Sequence, residues 1–376
     1  MFDDKDFYFE EIFKEYSKQN EIQNIGKTLG KGAFGVVKEI KVNDRKYAGK
    51  LSVVDSNEEK EEENIKNLRG TNIIKIEKIC KSVNRHGKNY RLIIMERAIL
   101  NDLGKLNKYF HDHNLLKLIY SNCFDEVISD TVLRFFSMQI IKGLQIIHSL
   151  GLIHFDIKLE NILILNNLIL KISDFSILKK VDENIISTKI PGGTSNYLSP
   201  EYFLDKKVNG IIAKKQDYFA LGYCLFLLKY GSGVPIYKDD ETKNYKLDFV
   251  INFIEKRINF LKSQKLSDND FINFIIGLIQ LKVEKRSNME QIIRSKWLTK
   301  NLDCIDKIVN DYDNDNEKLL VELQKQDFIK QKNEFFESNT SDKKIEKTID
   351  DINCNKPTKR NKKKNFKFKK KAITIQ

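Results

Sequence analysis

Four polar residues lie beside short apolar stretches between residues 152 and 174. Asp156, Lys158 and Asn161 separate two of these stretches, and Asp174 follows a third. Apolar runs that flank short polar clusters predict buried strands with the polar residues at their ends. We therefore expect these four side chains to converge on one cleft.

Phosphoryl transfer is the chemistry that this set of side chains could perform. That reaction requires positioning, neutralisation of phosphate charge and an acceptor for the hydroxyl proton. Asp156 can accept the proton, and Lys158 can place its cation against the moving phosphate. Asn161 and Asp174 offer the hard oxygen ligands that Mg²⁺ prefers. An ordinary loop with scattered surface acids is the alternative interpretation.

The same residues resemble the catalytic loop and metal-binding segment of eukaryotic protein kinases, which read His-Arg-Asp-x-Lys-x-x-Asn and then Asp-Phe-Gly. Two positions depart from that pattern, because Phe155 replaces the Arg and Ser176 replaces the Gly. Phe155 cannot pair with a phosphorylated activation segment as Arg does. Ser176 would lose about 1–2 kcal/mol if its backbone had to be left-handed.

Three glycines, Gly30, Gly32 and Gly35, precede a stretch that alternates apolar and charged residues. Such a glycine string also fits a dinucleotide-binding turn, but that motif needs a helix directly after the third glycine. The alternation from Val36 to Ile40 predicts a strand instead. We therefore expect a hairpin whose backbone closes over phosphates.

The kinase resemblance implies roles for further residues. Lys50 would hold the α and β phosphates and pair with Glu61, with Glu62 as the fallback, while Thr194 would brace Asp156 and Lys158. The remaining residues implied at the nucleotide are Leu29, Gly30, Gly32, Gly35, Val37, Ala48, Met95, Glu96, Ala98 and Leu163.

Beyond the metal-binding segment, residues 177–198 are polar, and residues 193–201 resemble the end of a kinase activation segment. The name activation segment is kept below for residues 177–198. Glu201 follows it, and a buried acid at a loop end needs a partner, so we expect an ion pair with Arg286. By resemblance, Asp217 should open an apolar helix that ends at Leu228 and should fix the catalytic-loop backbone. By the same resemblance, Asp102 lies where kinases often contact ribose or a basic substrate residue, and Glu160 and Asp102 together favour a basic residue near the target hydroxyl.

Composition adds limits on the class of protein. A chain of 376 residues with 41% hydrophobic content can bury a sizeable core. Its five cysteines are dispersed and odd in number, which favours reduced thiols in the cytoplasm or nucleus. The longest apolar run, 219–228, is too short to span a bilayer, and we see no secretory signal.

The charge of +13 is concentrated at one end. Residues 353–376 hold ten Lys or Arg and no acid, which leaves +3 for the remainder. A polybasic tail can bind an import receptor or an anionic surface, or can simply be solvated.

Taken together, the sequence is identified as a member of the serine/threonine protein kinase family, slightly similar to the calcium/calmodulin-dependent group. The resemblance implies an α+β, two-lobed fold, with ATP and Mg²⁺ as cofactors and Ser/Thr-containing proteins as substrates. We expect an extension (1–21), an N-lobe (22–95), a hinge (96–102), a C-lobe (103–298), and a partly helical, then disordered tail (299–376). A pseudokinase scaffold without efficient catalysis is the alternative function.

Overall fold

A small antiparallel sheet and a larger set of helices follow one another along the chain. The computed structural model describes residues 4–19, 21–32, 35–54, 58–85, 87–98, 102–112, 130–165, 169–204, 207–231, 247–263 and 269–299. All of them fall within one of the two compact units of the chain, Met1–Leu323. The predicted tail and its helix lie outside the described residues.

The sheet occupies the N-terminal part. Its strands are β1 Ile22–Gly32, β2 Gly35–Val42, β3 Arg45–Val54, β4 Ile76–Ile79, β5 Val83–Arg85 and β6 Lys88–Glu96. They pair in the order β1-β2-β3-β6-β4, with β5 also on β6. Strand β2 directly follows the glycines, so the predicted hairpin is confirmed and the dinucleotide-binding turn is wrong.

Helix α1, Asp4–Gln19, covers one face of this sheet. Its residues Ile12, Phe13 and Tyr16 are buried in one cluster with apolar side chains of β2, β3 and β6. The Tyr16 hydroxyl donates to the carbonyl oxygen of Tyr90 at 2.7 Å, which fixes the helix against β6. The N-terminal extension is thus part of the hydrophobic core of the sheet.

Between β3 and β4, helix α2 spans Glu58–Asn67. Ile65 and the following Leu68 are buried, as their spacing predicted.

The C-terminal part is mainly helical. Its helices are α3 Leu103–Asp112, α4 Asp130–Ser149, α5 Pro200–Phe203, α6 Gly210–Tyr230, α7 Leu247–Ser263, α8 Asn269–Leu278, α9 Met289–Ile293 and α10 Lys296–Thr299. Four short strands lie among them: β7 Leu152–Ile153, β8 Ile162–Ile164, β9 Leu170–Ile172 and β10 Lys179–Lys180. Strand β8 pairs with β9, and β7 pairs with β10.

Helices α4 and α6 form the interior of this part. The predicted apolar stripe of α4 is confirmed, since its five members are at most 1% exposed: Leu133, Phe136, Ile140, Leu144 and Ile147. Helix α6 is buried over most of its length and begins earlier than expected, at Gly210, because Asn209 caps it by accepting a hydrogen bond from Ile212 N–H. Asp217 therefore lies inside the helix and does not open it.

A close approach of α6 to α8 explains a glycine within α6. A Cβ atom at Gly222 would lie 2.7 Å from Leu278 Cβ, so only glycine allows this packing. The predicted α+β fold, a small sheet lobe followed by a larger helical lobe, is confirmed.

Candidate active site

The face of the sheet opposite α1 carries most of the residues expected at the nucleotide. Val37 is the register partner of Lys50 on the next strand, and Ala48 is the partner of Met95 on β6. Because side chains alternate along a strand, Val37, Ala48, Lys50 and Met95 share one face. We call it the cleft face.

The glycine hairpin borders this face. Gly30 pairs with Val37 and Gly32 pairs with Gly35, while residues 33–34 at the tip lie outside the described residues. A Cβ atom at Gly30 or Gly32 would meet no described atom within 4 Å. Gly35 differs, since a Cβ atom there would lie 2.1 Å from the Leu51 carbonyl oxygen. The first two glycines thus border open space, and the third allows close strand packing.

Lys50 reaches from β3 to the segment that follows β9. Its Nζ lies 2.5 Å from Asp174 Oδ1 and 2.6 Å from Ser176 Oγ. The Ser176 hydroxyl also donates to Asp174 Oδ1 at 2.5 Å. Ser176 is therefore a direct neighbour of two predicted site residues, Lys50 and Asp174.

The electrostatic state of Asp174 follows from these contacts. Burial by itself raises the pKa of the carboxyl group, but the charge of Lys50 and hydrogen bonds from Lys50 and Ser176 outweigh burial and hold the pKa well below its usual range. Asp174 is thus ionised and suited to a cation.

The left-handed backbone conformation in this segment falls on Asp174, whose φ is 62°. Ser176 does not have a positive φ, so the strain expected at Ser176 does not arise.

Asp156 is held at both oxygens. Its Oδ1 accepts hydrogen bonds from the backbone N–H and the hydroxyl of Thr194, both at 3.0 Å. Its Oδ2 lies 2.8 Å from Lys158 Nζ and accepts from Asn161 Nδ2 at 2.9 Å. Lys158 Nζ in turn donates to Thr194 Oγ1 at 2.8 Å. The carboxylate therefore has one fixed orientation.

Asn161 connects Asp156 to the Asp174 segment. Its Nδ2 also donates to the Asp156 carbonyl oxygen at 2.8 Å. The backbone N–H and hydroxyl of Ser173 both donate to the Asn161 carbonyl oxygen at 2.9 Å. These bonds occur where the paired strands β8 and β9 end, as the sequence predicted. Among the described residues, no hydrogen bond reaches the side-chain amide oxygen of Asn161, which could hold a metal ion.

The backbone before Asp156 is fixed by Asp217 from helix α6. Asp217, which is fully buried, accepts hydrogen bonds from His154 N–H at 3.0 Å and Phe155 N–H at 2.9 Å. His148 Nε2 also lies 2.8 Å from Asp217 Oδ2. The predicted role of Asp217 in fixing this loop is confirmed.

His154 is a positioning residue that the sequence analysis missed. Its Nδ1 accepts the Asp156 N–H at 3.2 Å, so its Nε2 carries the proton and donates to the Ser173 carbonyl oxygen at 3.0 Å. His154 therefore links the segment of the proposed base to the segment of the proposed metal ligand. The signal available in the sequence was the position of His154, two residues before Asp156 in the catalytic-loop pattern.

Phe155 points away from the polar groups and into an apolar cluster. The Phe155 cluster contains Ile153, Phe155, Val181, Ile190, Val208 and Ala213, all buried. Two of these, Val181 and Ile190, belong to the activation segment. Phe155 has φ of 65°, an unfavourable conformation for a bulky residue, which the hydrogen bond to Asp217 and the packing hold in place. Apolar contacts thus connect the catalytic loop to the activation segment.

The expected hinge residues follow β6. The Glu96 N–H donates to the Lys75 carbonyl oxygen at 3.0 Å, so only its own carbonyl group remains for adenine. The Glu96 carboxylate accepts from Lys171 Nζ at 2.6 Å. Ala98 is half-buried, as is Leu163, which forms a β-bridge with Asp102.

Asp102 has a structural role that the sequence analysis did not foresee. Its Oδ1 accepts the Lys105 N–H at 2.8 Å and caps α3. Glu160 lies close by, because a Cβ atom at Gly104 would be 2.9 Å from Glu160 Cγ and 3.1 Å from Asp102 Oδ1. The two carboxylates therefore flank Gly104.

The structure brings six of the predicted residues into one connected set: Lys50, Asp174, Asn161, Asp156, Lys158 and Thr194. Glu61 lies in α2, but its side chain is outside the described part of the structure. The fallback residue, Glu62, pairs with Lys66 on the same helix. The pairing of Lys50 with a glutamate of α2 therefore stays a prediction.

Behind the activation segment, the predicted pair of Glu201 with Arg286 is confirmed. Two parallel hydrogen bonds of 3.0 Å join the guanidinium group to the carboxylate. Arg286 is 1% exposed and Glu201 is 9% exposed, so the pair is buried.

Comparison with known proteins gives a match over most of the described chain. The family described as protein kinase domain matches residues 23–298. Serine/threonine-protein kinase cds1 of Schizosaccharomyces pombe is 30% identical over 289 residues, which are 74% of this chain and 59% of that protein. Serine/threonine-protein kinase SRK2A of Physcomitrium patens is 26% identical over 306 residues, 76% of this chain and 77% of that protein.

A third relative is much longer than this chain. Serine/threonine-protein kinase MRCK beta of Rattus norvegicus is 24% identical over 245 residues, which are 63% of this chain but 13% of that protein. The similarity is thus to one part of that protein. Within the described residues, none of the helices has the length and apolar character needed to cross a membrane.

Proposed function

The chain belongs to the serine/threonine protein kinase family, and on that premise we propose that it transfers the γ-phosphoryl group of ATP to Ser or Thr hydroxyls of proteins. The observation that carries the proposal is the connected set of polar groups from Lys50 through Asp174 and Asn161 to Asp156. Lys50 of this set lies on the strand that pairs with the second strand of the glycine hairpin. Positioning and charge neutralisation, which such a set can supply, are most of what this reaction requires.

Asp156 is the proposed acceptor of the substrate hydroxyl proton. Thr194 and Lys158 hold its carboxylate in one orientation, so no rotation is needed when the substrate binds. The cation of Lys158 also lies where it can stabilise negative charge on the transferred group. Lys50 is the proposed contact of the other phosphates.

The residues present fit a magnesium ion. Asp174 offers an ionised carboxylate and Asn161 an amide oxygen, both of them hard ligands. When bound, the ion neutralises charge on the phosphate oxygens. Lys50 places a positive charge directly beside the Asp174 carboxylate.

The substrate class follows from neighbouring charges. Lys158 and Thr194 are typical of kinases that act on Ser or Thr. Asp102 and Glu160 flank Gly104 and form an acidic site, which supports a preference for a basic residue near the target hydroxyl.

A pseudokinase scaffold is the competing function. It is favoured by Phe155 and Ser176, which depart from the family pattern. Their contacts support an active enzyme instead, since Phe155 joins the activation segment to the catalytic loop and Ser176 holds Asp174. Neither change removes a group needed for transfer.

A phosphotransfer assay tests the proposal. The protein is incubated with ATP and Mg²⁺ and a generic basic protein, beside Asp174→Ala and, as a matched control, Asp248→Ala, which removes an exposed acid on α7. We expect the wild type and Asp248→Ala to label the substrate and Asp174→Ala to fail. Absence of labelling by folded wild-type protein would favour the scaffold.

The basic tail and the location of the protein belong to the same proposal. Ten cations without an acid in residues 353–376 support binding to an import receptor or an anionic surface. We propose a cytoplasmic or nuclear location on this ground.

A further inference from the structure

Arg257 of helix α7 is a buried cation without a counter-ion among the described residues. It is 3% exposed, and within the described part of the chain its guanidinium group forms no ion pair with a carboxylate. Its Nη2 donates to the Tyr223 hydroxyl at 2.8 Å, and its Nε has no hydrogen-bond partner in the described structure. Buried charges are normally paired with an opposite charge, so an unpaired buried arginine is unusual.

Three aromatic rings surround the Arg257 guanidinium group and partly compensate for the missing counter-ion. The guanidinium carbon lies 3.4 Å from the ring centroid of Phe253, 4.4 Å from that of Tyr223 and 5.1 Å from that of Phe226. Such contacts stabilise a cation without neutralising it. Burial raises the pKa of Tyr223, so its hydroxyl supplies no negative charge. Burial also lowers the pKa of Arg257 to about 10, which leaves it charged at neutral pH.

Arg257 lines a cleft that reaches the end of the activation segment. Ser195, Asn196 and Leu198 form one side of this cleft, which has a cavity volume of about 30 Å³. That space admits a small polar group, since a water needs about 10–15 Å³. Ser195 directly follows Thr194, whose hydroxyl is bonded to Asp156. The cleft thus begins one residue, about 3.8 Å along the chain, from the group that holds the proposed base.

An extended substrate chain advances about 3.3 Å per residue, so a residue close to the phosphoacceptor can reach this cleft. Arginine with free N–H groups recognises carboxylates and phosphates through charge-assisted hydrogen bonds. The polar side chain that Arg257 contacts is the neutral hydroxyl of Tyr223. The positive charge of Arg257 is therefore available to an anion from outside the domain.

We propose that this cleft binds an anionic side chain of the protein substrate, a carboxylate or a phosphate group within about two residues of the phosphoacceptor, and that Arg257 determines this specificity. The inference rests on the proposed function. The substrate then carries a basic residue for the site beside Gly104 and an acidic one for Arg257. A structural role, in which Arg257 only joins α6 to α7 through its rings, is the competing explanation.

A peptide series tests the proposal with the full chain. Peptides with one Ser acceptor carry Ala, Asp or phosphoserine in turn at each of the two positions before and after it. We expect one position at which Asp or phosphoserine raises kcat/KM by roughly ten-fold over Ala, the effect of a hydrogen bond to a charged group. The two anionic residues distinguish a carboxylate from a phosphate ligand.

Variants assign the effect to Arg257. In Arg257→Gln the ratio of kcat/KM for the anionic peptide to kcat/KM for the Ala peptide should fall to about one. Arg257→Lys should retain part of this preference. Asn196→Asp adds a carboxylate on the exposed rim without touching the core, so it should lower the ratio at an unchanged melting temperature. A structural role predicts equal loss on all peptides and an unchanged ratio.

The results separate the two proposals. If the wild type labels the peptides but its kcat/KM for the anionic peptides equals that for the Ala peptides at every position, the anion site is overturned and the kinase proposal stays intact. The same conclusion follows if the anion-to-Ala ratio of kcat/KM is unchanged in both Arg257→Gln and Asn196→Asp. Peptide affinities measured by fluorescence anisotropy need no catalysis. If no peptide is labelled but the anionic peptides bind about ten-fold more tightly in an Arg257-dependent way, the proposed activity fails and the site stands.

Discussion

Replacing Glu201 by Gln should destabilise the protein strongly, because it removes the charge that a fully buried arginine requires. The Arg286 side chain is 0% exposed. Its N–H groups donate to the two oxygens of Glu201 at 3.0 Å, to the Lys215 carbonyl oxygen at 3.1 Å, and to the Gln280 carbonyl oxygen at 2.9 and 3.2 Å. Glutamine keeps one acceptor but turns an N–H group toward the guanidinium donors.

The size of the effect follows from the burial of the pair. Removing one partner of a buried ion pair costs about 3–5 kcal/mol. Because glutamine keeps one acceptor, we expect a value near about 3 kcal/mol, a large part of the 5–15 kcal/mol that is typical of a folded domain. In a domain of this size the melting temperature should fall by roughly 6–12 °C. Urea unfolding followed by circular dichroism measures the free energy.

An exposed pair provides the control. Arg294 Nη1 lies 3.1 Å from Glu290 Oε1, and these side chains are 77% and 64% exposed. Glu290→Gln removes the same charge, but the pair is in water, so the loss should be about 0.5 kcal/mol or less. Equal, small losses in Glu201→Gln and Glu290→Gln would refute the reasoning that burial sets the strength of the first pair.

Four further outcomes test the site and its surroundings. Asp156→Asn should leave ATP binding intact but lower the single-turnover transfer rate by about 10²–10⁴-fold, because positioning survives and proton acceptance does not; equal loss of both would contradict the proposed base. Ser187→Ala combined with Thr188→Ala should retain turnover, since apolar packing and not a phosphate holds the activation segment; abolished turnover would show the opposite. Ser176→Ala removes hydrogen bonds to Lys50 and Asp174 and should weaken Mg²⁺-dependent nucleotide binding roughly ten-fold, and an unchanged Mg²⁺ titration would count against that contact. Phe13→Ala should lower the free energy of unfolding by about 3–5 kcal/mol in urea, and a loss below about 1 kcal/mol would mean that α1 is not part of the core.

Local pattern was sufficient to predict much of the fold and of the site. The apolar residues of α4 recur every three or four residues, which indicates a helix. Apolar and charged residues alternate along β2, which indicates a strand. Asp156, Asn161 and Asp174 were predictable as a set because strand ends place polar residues together. The Glu201–Arg286 pair followed from the need of a buried acid for a partner.

Long-range packing was not predictable in the same way. The sequence of α1 permits an amphipathic helix but does not say which surface it covers, since any apolar face could accept Phe13. Nothing near Phe155 in sequence indicates that Val208 will pack against it. By residue type alone Asp102 could contact a ligand or cap a helix, and only the structure shows that its Oδ1 accepts the Lys105 N–H and caps α3.

The Phe155 cluster also determines which conditions can disturb the activation segment. A contact between arginine and phosphate weakens as ions are added, because at 0.15 M salt charges are screened beyond about 8 Å. Packing of Phe155 against Ile190 and Val208 contains no charge, and excluded salts such as sulfate strengthen apolar burial. Cooling weakens apolar burial, so a drop in temperature should loosen this contact, whereas added salt should not.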